Sequence, residues 1–124
     1  MRALLLGAVL LLTAAAGAAP RVPSGQPVSL QEVIWPGAGG GGQKIARFRF
    51  VAPDLRKGAG NENDMKALCE AVARPAVAQK GLKVDQIVIS LARKAVPFGE
   101  QHPDVPQVFE AYVIDDGRCA LAGF

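Results

Sequence analysis

The chain has 124 residues, with 14 basic and 11 acidic side chains and a formal net charge of +3. That length fits one ordinary small domain. The excess of positive charge is too small and too evenly spread to argue for nucleic acid or a polyanionic membrane surface as a partner.

Met1-Arg2 is a short positive start, Ala3 to Leu12 is an almost unbroken run of Leu, Ala and Val, and Thr13 to Ala18 are small residues. That order reads as a secretory signal peptide over residues 1–18, with Ala16-Gly17-Ala18 as its A-x-A site. Pro20 disfavours a cut directly before it, so cleavage is expected after Ala18. The rival is an uncleaved anchor, but the second half of the run is Ala and Gly and only weakly apolar. No cysteine follows closely, so a lipid-anchored product is not indicated. The expected mature chain is a single exported domain, residues 19–124, periplasmic or secreted, with no further stretch able to span a membrane. Loss of Arg2 leaves 13 basic against 11 acidic side chains, a net charge of about +2.

Residues 21–27 carry Pro23, Gly25 and Pro27 and read as an extended lead-in. Val28 to Trp35 alternates, with Val28, Leu30, Glu32 and Ile34 on one face and Ser29, Gln31, Val33 and Trp35 on the other. Trp35 is either a core corner or an exposed contact aromatic. The glycine-rich stretch Pro36 to Gly42 stops that strand. Ile45 to Val51 resumes it, with Ala46, Phe48 and Phe50 on one face and Arg47 and Arg49 opposite. The two strands read as a hairpin.

A helix is predicted from Asn61 as N-cap, with Glu62 and Asp64 in its positive first turn. Met65, Leu68, Cys69 and Val72 form its apolar stripe. Pro75 removes a helical hydrogen bond and should kink or end the helix, and Gly81 is a natural C′ residue. Gln86 to Ala92 has apolar residues on both faces and reads as a central strand. Val96 to Gln107 is a proline-broken loop. Phe109 to Ile114 and Cys119 to Phe124 are strands joined by an Asp-Gly turn. The expected fold is therefore α+β, ordered ββαβββ: a small antiparallel sheet of about five strands with one main helix on one face.

Cys69 and Cys119 are the only cysteines. In an oxidising compartment they are expected to form one disulfide. A redox pair would sit as C-x-x-C, and a zinc site needs more ligands than two Cys and one His. No metal or cofactor is expected.

Candidate chemistry is sparse. Gly37 to Gln43 lacks the Gly-Lys-Ser/Thr end of a P-loop and precedes a strand rather than a helix, which makes it a hairpin loop. His102, flanked by Glu100 and Asp104, could serve as a general base or weak metal ligand but has no nameable nucleophile. Neither G-x-S-x-G nor H-E-x-x-H occurs. Arg47 and Arg49, with Lys44 nearby, could grip a carboxylate or phosphate bidentately, or simply solvate the outer face of the sheet.

Several blocks recur together in one family: Val22 to Val28 running into Leu30 to Ile34, then Arg47 to Pro53, Asp64-Met65 with Leu68-Cys69-Glu70, Ile87 to Ser90, Phe98-Gly99, Phe109 to Tyr112 and Asp116 to Cys119. On these the chain resembles a family of small exported bacterial proteins classed as a domain of unknown function. The resemblance implies a single exported domain with paired cysteines and carries over no activity. The leading expectation is a non-enzymatic periplasmic domain that binds another protein, such as an envelope protein, or an envelope component. The alternative is a small-molecule or anion-binding protein, or a minor enzyme, using Arg47 and Arg49 or His102.

Overall fold

The alternating segments assemble into one five-stranded sheet with the helix on one face, in a computed structural model that describes residues 19–37, 42–58 and 60–123. The predicted signal peptide lies outside the described residues, as do residues 38–41 of the glycine loop. The strands are β1 (Ser29–Ile34), β2 (Ile45–Val51), β3 (Gln86–Ala92), β4 (Gln107–Asp115) and β5 (Arg118–Leu121). They lie in the order β1-β2-β3-β4-β5. No helix among the described residues is long and apolar enough to cross a membrane.

The sheet is mixed, not antiparallel as expected. β2 and β3 run parallel, and the other three pairings are antiparallel. The helix between β2 and β3 explains this. A crossover of that length carries the chain back to the same end of the sheet, as parallel neighbours require. The β4–β5 turn is the predicted one: Asp116 and Gly117 both have positive φ, 50° and 74°. Two successive positive-φ residues suit a hairpin turn whose twist matches the strands, and Gly117 adopts that conformation without steric cost.

Period-two patterning fills the inner face. Ala46, Phe48 and Phe50 of β2 and Ile87, Ile89 and Leu91 of β3 are fully buried. β1 departs from the simple alternation. Leu30 pairs with Phe50 but Glu32 already pairs with Arg49, so Gln31 is the extra residue of a bulge. Beyond it, Val33 stands opposite Phe48, while Glu32 and Ile34 stand opposite the arginines on the outer face. A bulge reverses which residues face the core, because strand side chains alternate strictly.

The helix runs through residues 61–80 as α1 (Asn61–Leu68), a π-helical turn (Cys69–Ala73) and α2 (Arg74–Lys80). Pro75 neither ends nor breaks it. The Arg74 N–H donates to the Cys69 carbonyl, five residues back. This widened turn ends two residues before the proline and accommodates a residue that cannot donate. It also absorbs one extra residue, so the buried stripe continues through Ala73 and Val77, while Val72 is only partly buried. Gly81 closes the helix in the left-handed conformation, as predicted.

Gly60, not Asn61, occupies the N-cap position. The Asn61 Nδ2 instead donates to the Arg56 carbonyl at 2.7 Å, fixing the loop before the helix. Trp35 settles as a core corner: its ring meets Phe48 edge-on at 5.7 Å, with the Lys80 ammonium 5.1 Å from its centroid. The expected disulfide is formed. Cys69 and Cys119, 50 residues apart, tie the π turn to β5.

Candidate functional site

The outer face of the sheet carries the site. Arg47 and Arg49 project from β2, Val88 and Ser90 from β3, and Gln107 and Phe109 from β4. The loop between β3 and β4 folds over them, adding Val96 to Glu100, and together these residues line an open cleft of ≈ 250 Å³. The two arginines are thus in a concave site rather than a flat row.

Their roles differ. Arg49 is nearly buried and its donors are used internally: Nη1 pairs with the Glu32 carboxylate and Nη2 donates to the Val96 carbonyl at 2.9 Å. Gln31 Nε2 donates to the same carbonyl at 3.1 Å, so the bulged segment of β1 supplies one of the two donors that hold the loop root and, through Glu32, the partner of the other. Arg49 therefore anchors the loop. Arg47 is half-buried and its side chain, among the described residues, makes no hydrogen bond or ion pair. Its guanidinium lies 5.3 Å from the centroid of Phe98, and that of Arg49 lies 5.5 Å from the same ring. Cations over an aromatic face are attracted by its quadrupole, by about 0.5–1 kcal/mol where water is near. Phe98 is 55% exposed and Phe109 75% exposed, so both aromatic rings at the cleft face solvent.

His102 does not line this cleft. Its Nε2 is buried without a hydrogen-bond partner, 3.8 Å from Glu100 Oε2, in a turn closed by the Val105 N–H to the His102 carbonyl at 2.9 Å. Glu100 lines the cleft and His102 does not. Among the described residues no group of three His, Cys, Asp or Glu side chains is placed to hold a metal ion.

A second recess, ≈ 380 Å³, lies where the lead-in meets the helix, lined by Ser24, Gln26, Asp54, Arg56 and Asn61 among others. Its most telling neighbour is Asp64, fully buried on α1. Asp64 accepts from the Ser24 N–H at 2.9 Å, the Ser24 hydroxyl at 2.5 Å and the Gln26 side-chain amide at 2.7 Å. The chain itself fills these acceptor positions, which makes Asp64 a brace for the lead-in.

Sequence reasoning placed Arg47 and Arg49 on one outward face but missed Glu32, Gln31, Phe98 and Phe109. The signal for Glu32 was hidden by the bulge, and Pro97-Phe98-Gly99 in a proline-broken loop gave no face to assign. Chemically, the cleft offers two exposed aromatic rings, a small polar floor and the Arg47 guanidinium, whose donors have no protein partner among the described residues.

No curated protein and no solved structure matches the chain. Its sequence matches a family described as a family of unknown function (DUF6497) over residues 6–124. With nearly its whole length covered, the chain belongs to that family.

Proposed function

We propose that this protein is an exported, non-enzymatic binding module whose cleft on the outer sheet face engages a segment of another envelope protein. The observation that carries the reading is the grouping of exposed Phe98 and Phe109 around Arg47 in one concavity. Aromatic residues and arginine are the side chains most enriched at binding hot spots. The signal peptide read at residues 1–18 and the Cys69–Cys119 bond both support work in an oxidising compartment. The alternative, a small-molecule or anion-binding protein or a minor enzyme, has less support. Glu32 already matches Arg49, and His102 lies outside the cleft without a nucleophile on its Nε2.

The test compares wild-type protein with a Phe98→Ala/Phe109→Ala variant as bait in envelope extract. Both rings are largely exposed, so the variant should fold normally. Tryptophan emission from buried-side Trp35 checks this. A partner recovered reproducibly by the wild type and lost by the variant is the expected result. Identical recovery by both would remove the cleft from the proposal. Export is tested separately by the mass of the protein recovered from the envelope fraction, which should begin at Ala19.

A further inference from the structure

We infer that the cleft recognises a carboxylate standing beside an apolar side chain, as in a partner segment where Asp or Glu adjoins an aromatic or aliphatic residue. This rests on the reading of the cleft as a protein-binding face and names what that face selects. The argument begins with the inequality of the two arginines. Arg49 is matched in charge by Glu32 and in hydrogen bonding by Val96. Arg47 sits in the same cleft with neither kind of partner among the described residues, and Phe98 at 5.3 Å covers it on one side. The planar fork of Arg47 is open to a ligand, and a carboxylate is the group that matches such a fork with two parallel hydrogen bonds.

The surroundings choose between anions. Glu100 stands at the rim, its side chain 55% exposed and turned toward His102. With Glu100 lining the same cleft, one unmatched guanidinium suits a carboxylate, while a phosphate dianion gives up more hydration than that single cation offsets. The exposed rings of Phe98 and Phe109 then supply the apolar wall for the neighbouring side chain.

The experiment titrates the purified oxidised protein, by heteronuclear NMR at low ionic strength, with acetyl-Ala-Asp-Phe-Ala-amide and its Asn counterpart. The Asp peptide is expected to shift amides of β2 and the β3–β4 loop and to bind at least about tenfold more tightly than the Asn peptide. Arg47→Gln should abolish that preference and leave weak binding of both peptides. Arg47→Lys, which keeps the charge and loses the fork, should retain part of it. Equal binding of the two peptides, no binding of either, a preference that survives Arg47→Gln, or displacement of the Asp peptide by an equal concentration of inorganic phosphate would each overturn the inference. The peptide comparison in the wild type stands even if a variant folds poorly. Loss of the envelope partner in Phe98→Ala/Phe109→Ala without a carboxylate preference would leave the binding face and remove only the ligand class. A carboxylate preference with identical recovery by wild type and variant would remove the protein partner instead.

Discussion

Tyr112 sits at the base of the core, 1% exposed, and its hydroxyl has no hydrogen-bond partner among the described residues. Burial, with smaller contributions from Glu110 and Glu62, pushes its pKa up from 10.0 to about 12. The folded chain therefore holds the phenolic proton more tightly than the unfolded chain. The associated stability is complete below pH 10 and is lost as pH rises toward 12, at about 1.4 kcal/mol per pH unit. Tyr112→Phe should flatten that alkaline slope and raise stability at neutral pH by about 1 kcal/mol, since it removes a buried polar atom that gave up water for nothing. Urea unfolding across the alkaline range measures both effects. The chain has one tyrosine, so tyrosinate absorbance reports this group alone. The two arginines form a second contrast. Arg49→Ala removes the partner of Glu32 and leaves the Val96 carbonyl to Gln31 alone, at a cost of about 1–2 kcal/mol, while Arg47→Ala should cost under about 1 kcal/mol. Thermal unfolding of the two variants would show the difference. The sequence presents these arginines as equivalent because both stand on the polar face of one strand. What separates them is a bulge in the neighbouring strand, and pairing register is a tertiary property that alternation within β2 cannot carry.

At the level of elements, the strands and the helix were legible wherever an apolar period was long and unbroken, as in β2 and β3. The direction of β3 was not legible, since local alternation is the same in parallel and antiparallel strands. Nor was the π turn, which arises from Pro75 and the need to keep one stripe buried along 20 helical residues. That turn has a consequence at the sheet edge. Glu70, within it, accepts the Cys119 N–H through Oε1 at 2.7 Å and the Arg74 Nε–H through Oε2 at 3.1 Å. β5 pairs only with β4, so its outer backbone groups would otherwise be unpaired, and the Glu70 carboxylate satisfies one of them. Glu70→Ala should therefore cost about 1–2 kcal/mol, mostly through the charge-assisted bond to the strand. Arg74→Ala removes only a half-exposed i,i+4 pair and should cost under about 0.5 kcal/mol. Chemical denaturation of the two variants tests whether the carboxylate serves the strand or the helix. Equal losses would assign it to the helix.

Over the whole molecule, the Cys69–Cys119 bond closes the one covalent loop that the two cysteines allow, across a sequence separation of 50. In the chain-entropy description, constraining the unfolded state over such a loop stabilises the fold by about 4 kcal/mol. A domain of this size has about 5–15 kcal/mol in total, so the bond is a large fraction of it. The noncovalent structure is not uniform either. β2 and β3 lie at the centre of the sheet beneath the helix, whereas β5 has four residues, one strand neighbour, and the disulfide and the Glu70 carboxylate as its ties to the helix. Replacing both cysteines, Cys69→Ala/Cys119→Ala, leaves no stray thiol and should lower the melting temperature by about 15–30 °C. It should also raise the denaturant m-value, because the unfolded chain becomes less compact. Hydrogen exchange resolves where the loss falls: amide protection in β5 and the end of β4 should drop well before that of β2 and β3. A uniform loss across the sheet would mean that the bond acts through the unfolded chain alone. A confined loss would make it a clasp on the last strand as well, and would place completion of the fold at the moment the two cysteines are oxidised.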